Sequence, residues 1–195
     1  LSTAAVTVDL QTGVGLGGDA QGDAVDSFEE VQGSGFADTL LGTSANDSLR
    51  GGAGDDILRG RGGADVLDGG SGIDAADYAD SASAVHVDLD AGTASGGDAQ
   101  GDTLISIERA IGSAHDDWFK AAASGSTLDG GAGDDLFLAG AGADMLNGGA
   151  GSDTVDYSAS TAAVTVALAA GAGSGGSAEG DTLSGIEDVL GSAYA

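Results

Sequence analysis

The chain has 195 residues with 38 glycines, no proline, no cysteine and only 4% aromatic residues, and much of its 41% hydrophobic share is alanine. A formal charge of −27, from 32 acidic against five basic side chains, repels phosphate backbones and anionic lipid, which makes nucleic acid and membrane surfaces poor candidate partners. So acidic a chain stays disordered unless something positive offsets its self-repulsion, and the lack of cysteine removes disulfides as a substitute.

In chain order, AAVTVDL at 4–10 alternates like a half-buried strand, and GGDAQGD at 17–23 reads as a turn-rich loop. From residue 33 a nine-residue phase sets in: GSGFADTLL, GTSANDSLR, GGAGDDILR, GRGGADVLD and GGSGIDAAD fill 33–77. Asp38, Asp47, Asp56, Asp65 and Asp74 recur at this spacing, each followed two residues on by Leu40, Leu49, Leu58, Leu67 or Ala76. SAVHVDL at 83–89 then repeats the first strand, and GGDAQGD returns unchanged at 96–102. A second block over 112–156 holds Asp117, Asp135, Asp144 and Asp153 in phase, with Phe119, Leu128, Phe137, Leu146 and Val155 at the apolar position. Its row AAASGSTLD, 121–129, lacks the leading glycine and has Ser126 where aspartate is expected. AAVTVAL at 162–168 and GGSAEGD at 175–181 start the pattern a third time.

Each long-range shift is 79 residues, without insertion or deletion. The expected organisation is a strand segment over 1–32 completing a preceding unit, a block over 33–77, a linking strand segment over 78–111, a second block over 112–156, and a third strand segment over 157–195. A start at Leu1 and a cut inside a unit suggest an excerpt from a longer tandem array, and arrays of this kind are extended rather than globular. No apolar run approaches membrane-spanning length, and no signal peptide is expected.

The nine-residue rows resemble the GGxGxDxUx repeat of the RTX (repeats-in-toxin) haemolysin-type calcium-binding family. TLISIERAIGS at 103–113 resembles the strand that leads into the first repeat of serralysin-type proteases, and DTVDYSAS at 153–160 resembles the exit from the last row. The fold this implies is all-β: a right-handed parallel β-roll, or β-helix solenoid, with calcium in the turns and tandem 79-residue units. Six residues of each row would make a turn and three a short strand. Ca²⁺ takes six to eight oxygens at about 2.3–2.6 Å, more than one turn offers, whereas two turns stacked on one side can surround it. Strands stacked at about 4.8 Å place two aspartates of rows eighteen residues apart around one ion.

The resemblance implies specific ligand sets. Asp38 pairs with Asp56, using the carbonyls of Ser34, Phe36, Gly51 and Ala53. Asp47 pairs with Asp65, using Thr43, Ala45, Gly60 and Gly62. Asp56 also pairs with Asp74, through Gly52, Gly54, Gly69 and Ser71. In the second block Asp117 pairs with Asp135 (Ser113, His115, Gly130, Ala132), and Asp135 with Asp153 (Gly131, Gly133, Gly148, Ala150). Asp144 would share its site with Ser126, which is expected to be weak or empty because a hydroxyl replaces one charge. Glu29 and Glu108 continue the phase upstream and match the calcium-binding glutamate of the serralysin-like IE motif; Glu29 would face Asp47 and Glu108 would face Ser126.

Bland readings apply elsewhere. Asp9, Asp19, Asp80, Asp88 and Asp90 read as solvated acidic surface. His86 and His115 have no second histidine or cysteine at ligand spacing, and Trp118 reads as an outer sheet residue. The GAGDD strings lack the Lys-Ser/Thr ending of a phosphate loop. Paired carboxylates that recur at every turn do not make one catalytic site, so no enzymatic activity is expected within these residues. The resemblance implies a calcium-binding structural repeat of a type I secreted protein, extracellular or at the cell surface, of adhesin, fibre or surface-layer type. Its partners would be several Ca²⁺ ions and neighbouring repeats or copies. The rival reading is an accessory domain of a secreted protease, lipase or alginate epimerase.

Overall fold

The computed structural model describes residues 2–195. Every regular element among them is a strand of three or six residues or a single 3₁₀ turn. They fall into two compact units, one running to Tyr78 and including Gly92–Arg109, the other made of Ala79–Ala91 and Ala110–Ala195.

In the first unit alternate rows go to alternate sheets. Thr39–Leu41, Ile57–Arg59 and Ala75–Asp77 lie side by side in parallel, setting Leu40 against Leu58 and Leu58 against Ala76. Ser48–Ala53 and Val66–Ser71 form the facing sheet, with Leu49 level with Leu67. The flanking segments extend both sheets as expected for half-buried strands: Thr7–Asp9 sets Val8 beside Leu40, and Glu30–Gln32 sets Val31 beside Leu49. The second unit repeats the plan. His86–Asp88, Trp118–Lys120, Leu136–Leu138, Thr154–Asp156 and Asp188–Leu190 form one parallel sheet; Thr127–Ala132, Met145–Ala150 and Thr182–Ser184 lie in the other.

One apolar residue per row points inward, so the core is a thin column. Leu40, Leu49, Leu58, Leu67, Phe119, Leu128, Phe137 and Val155 are fully buried. Phe119 and Phe137 stack with ring centroids 5.2 Å apart. Each such burial is worth about 1.5–3 kcal/mol, modest against the cost of ordering a glycine-rich nine-residue row.

Two expectations need correction. Four rows are six-residue strands, because pairing runs on through the Gly-Gly pair into the turn: Gly52 lies level with Gly70 and Gly131 with Gly149. This depends on the missing side chain. A Cβ on Gly52 (φ +114°) would stand 2.5 Å from the Ser34 carbonyl oxygen, and one on Gly131 (φ +99°) 2.4 Å from that of Ser113. The linking stretches are also more than loops. Thr93–Ser95 pairs antiparallel with Thr103–Ile105, and Ala172–Ser174 with Thr165–Ala167; each is followed by a 3₁₀ turn, Gly97–Ala99 or Gly176–Ala178. Burial drives this, since Ala99 and Ala178 at the ends of those turns are completely covered.

Charges on the sheets pair locally: Arg50 with Glu30 at 2.9 Å, Arg61 with Asp9 at 2.9 Å, Lys120 with Asp90 at 2.8 Å, and Arg59 with Asp77. Asp9, Asp88 and Asp90 are therefore ion-paired, which goes beyond the solvated surface expected of them. Trp118 is half-buried on its sheet with its ring 6.0 Å from that of His86. Among the described residues no helix is long and apolar enough to cross a membrane.

Candidate metal centre

The in-phase aspartates line the turns, and all nine are between 0 and 3% exposed. Parallel stacking puts each beside its counterpart eighteen residues away, and the contact is always the same. The N–H of Asp38 donates to Asp56 Oδ1 at 2.7 Å, that of Asp47 to Asp65 at 2.8 Å, and that of Asp56 to Asp74 at 2.8 Å. In the second unit Asp117 donates to Asp135 at 2.7 Å and Asp135 to Asp153 at 2.8 Å. Every aspartate pair read from the sequence is thus brought together.

The second carboxylate oxygen distinguishes the rows. Where a row opens Gly-Ser or Gly-Thr, the second residue hydrogen-bonds its own aspartate. Ser34 donates its N–H to Asp38 Oδ2 and its hydroxyl to Oδ1, Thr43 does likewise for Asp47 Oδ2, and Ser113 for Asp117. In the rows that open Gly-Gly or Gly-Arg the second oxygen is bare. Oδ2 of Asp56, Asp65, Asp74, Asp135 and Asp153 is buried without a hydrogen-bond partner, as is Oδ1 of Asp47. A buried unpaired carboxylate oxygen is costly, and its desolvation favours the neutral acid. Burial accordingly pushes Asp56 up to about 6, and Asp65 and Asp135 up to about 7, against the hydrogen bonds that would hold them down.

The carbonyls expected to complete the sites come from turns that do stack. The spot a Gly54 Cβ would fill lies 2.8 Å from the Phe36 carbonyl oxygen; the same test puts Gly63 2.4 Å from Ala45, Gly51 2.7 Å from Gly69, Gly42 2.6 Å from Gly60, Gly130 2.6 Å from Gly148 and Gly133 2.6 Å from His115. Ala53 is level with Ser71, and Ala132 with Ala150. The Ser71 and Ala150 carbonyls each already accept an N–H at 2.9 Å, from Gly54 and Gly133, leaving one lone pair apiece. Gly62 lies above Ser44 with room to spare, a Cβ there standing 3.9 Å from its Cα.

Among the described residues no three carboxylate, imidazole or thiol side chains converge. Any ion must draw its remaining oxygens from backbone or water, which is the habit of a hard cation and not of zinc. Paired carboxylates, bare buried oxygens and stacked carbonyls fit Ca²⁺.

The irregular positions vary. Ser126 donates its N–H to Asp144 Oδ1 at 2.8 Å and accepts that of Ala122 on its hydroxyl, while Asp144 Oδ2 accepts from Gly140 at 3.0 Å. Glu29 lies in register with Asp47, one residue before the Glu30–Ser48 pair, but is exposed. Glu108 has an upstream partner that its spacing did not offer: its Oε2 accepts the N–H of Asp74 at 3.0 Å, and Glu187 does the same for Asp153. The nine-residue spacing assigns no role to Asp102 or Asp181. Both are buried, accept the N–H of Asp65 and Asp144 at 2.8 Å, and are held by Tyr78 and Tyr157.

Two facing parallel sheets with carboxylates stacked in the turns define a β-roll whose turns are built to suit hard cations. The model of the RTX calcium-binding nonapeptide repeat family matches the chain four times, at residues 32–67, 41–75, 111–146 and 122–155. Both blocks are therefore RTX calcium-binding repeats, structural elements that bind several Ca²⁺ ions, of the kind carried by type I secreted proteins. No curated protein matches the chain.

Proposed function

We propose that this chain is a calcium-folded structural repeat of an extracellular or cell-surface protein of adhesin, fibre or surface-layer type, held as disordered polymer until it meets calcium outside the cell. The observation that carries the reading is the set of six buried carboxylate oxygens that have no partner among the described residues. Asp56 with Asp74, and Asp135 with Asp153, would each hold an ion between two bare oxygens; Asp38 with Asp56, Asp47 with Asp65 and Asp117 with Asp135 would add further ions. The bound ions supply the positive charge that an excess of acidic over basic side chains lacks. The aspartates orient their carboxylates through the N–H ladder, and the glycines bring the carbonyls close. Binding free energy thereby becomes folding free energy.

A repeated unit supports a spacer. The second block lies 79 residues after the first and repeats its ladder, its buried tyrosine and its buried end aspartate. The test is circular dichroism of the chain in EGTA and after return of millimolar calcium. Disorder that converts to strand on calcium addition supports the reading, and a chain fully folded in EGTA overturns it. For the assembly role, further 79-residue units in adjoining sequence support the spacer, whereas a catalytic motif there would make this an accessory domain of a secreted enzyme.

A further inference from the structure

Within a block each rung joins aspartates eighteen residues apart, so Asp65 should end its side: the residue eighteen further on is Ser83. The ladder nevertheless continues. Asp65 donates its N–H to Asp102 Oδ1 at 2.8 Å, across 37 residues, the same length as the rungs inside the block. The strand that follows Asp102, Thr103–Ile105, runs parallel to Val66–Asp68 and lays Leu104 over Leu67. Gly101 sits on Ala64, where a Cβ would stand 3.0 Å from the alanine's own. The chain thus returns to the stack in phase, with a carboxylate on the next rung.

This rung carries the marks of a ligand site. Asp65 is 1% exposed and its Oδ2 has no partner. That oxygen points into the hollow of its own turn, 2.1 Å from where a Gly60 Cβ would be. Asp102 is 2% exposed, and its Oδ2 accepts the Tyr78 hydroxyl at 3.0 Å, which fixes the plane of the carboxylate. Two carboxylates are therefore held together under cover, with one phenol as neutral donor and a lone oxygen left over.

We propose that Asp65 and Asp102 hold a further Ca²⁺ ion, outside the nonapeptide rows, with Tyr78 as a positioning residue; the inference rests on the calcium reading of the blocks. The equivalent rung of the second unit, Asp144 to Asp181, is the weaker copy. There Asp144 Oδ2 already accepts the Gly140 N–H, and Ser177 stands where the first unit has Asp98.

Crystals of the full chain grown in calcium and measured at long wavelength test this directly. The expected result is an anomalous peak about 2.3–2.6 Å from carboxylate oxygens of Asp65 and Asp102. Peaks at Asp56–Asp74 and Asp135–Asp153 with none at Asp65–Asp102 would overturn this inference alone; no peak at any turn would overturn the calcium reading with it. In solution, Asp102→Asn keeps an acceptor for the Asp65 N–H and removes the charge. Native mass spectrometry at saturating calcium should find one ion fewer than in the unaltered chain, and an unchanged count contradicts the site. The diffraction measurement decides the matter if the variant does not fold.

Discussion

Asp56 donates its N–H to Asp74 Oδ1 at 2.8 Å, while the Oδ2 atoms of both residues are buried with no partner of their own. The contact fixes the spacing of the two carboxylates, and the bare atoms set what they can bind. Asp38, one rung earlier, has the same ladder contact to Asp56 but both of its own oxygens are already engaged by Ser34. The opening of each row therefore grades the sites: Gly-Gly and Gly-Arg leave an oxygen free, and Gly-Ser closes it.

Asp74→Asn should then raise the calcium concentration at the folding midpoint by about tenfold or more, equivalent to about 1.4 kcal/mol. The amide still accepts the Asp56 N–H, so the shape of the turn is kept while the charge is lost. Asp38→Asn should shift the midpoint by clearly less. Calcium titrations followed by circular dichroism compare the two, and equal shifts would refute the grading.

The ladder was legible in the sequence because each of its parts obeys a local rule. Glycine is needed where turns touch, an apolar residue faces the column once per row, and aspartate recurs at fixed phase. Asp102 and Tyr78 escaped because their phase is interrupted by the linking segment, and nothing in GGDAQGD says that its last residue re-enters the stack. For the same reason the spacing offers Glu108 only a downstream partner. The hairpins look like loops in the sequence because strands of three small residues carry no periodicity long enough to register.

The raised carboxylates fix the pH response of the metal-free chain. Burial holds Asp56, Asp65 and Asp135 at about 6, 7 and 7 in the folded state, against an ordinary value of 3.8. Between about pH 4 and 7 the folded chain then binds more protons than the unfolded one, so its stability falls as pH rises. In EGTA the chain should hold more strand at pH 5 than at pH 8. With calcium present the same protons compete for the same oxygens, and the calcium midpoint should rise as pH drops below about 7. Circular dichroism across this range checks both trends; a metal-free spectrum indifferent to pH would contradict the first.

The thin column makes single core residues costly. Leu58 is fully buried between Leu40 and Ala76, whereas its neighbour Ile57 faces outward and is 37% exposed. At saturating calcium Leu58→Ala should lose about 2–5 kcal/mol, and Ile57→Ala distinctly less. Urea unfolding at fixed free calcium gives both numbers, and similar losses would mean that the sheets do not meet along this column.

Ser126 offers the converse test, a site to be restored. Its N–H already makes the ladder contact to Asp144 Oδ1 at 2.8 Å, and its hydroxyl lies where a carboxylate oxygen would accept the N–H of Ala122 at 2.8 Å. Ser126→Asp therefore adds one charge to a turn whose backbone is in place. It should increase the calcium count by one in native mass spectrometry. It should also make the chain harder to fold in EGTA, because the new carboxylate faces Asp144 under cover. The row still begins at Ala121, buried at 2% exposure, where all the other rows except the one at Ala139 have glycine. A variant that becomes less stable in EGTA without gaining an ion would show that the carbonyls brought in by that leading glycine matter as much as the paired charge.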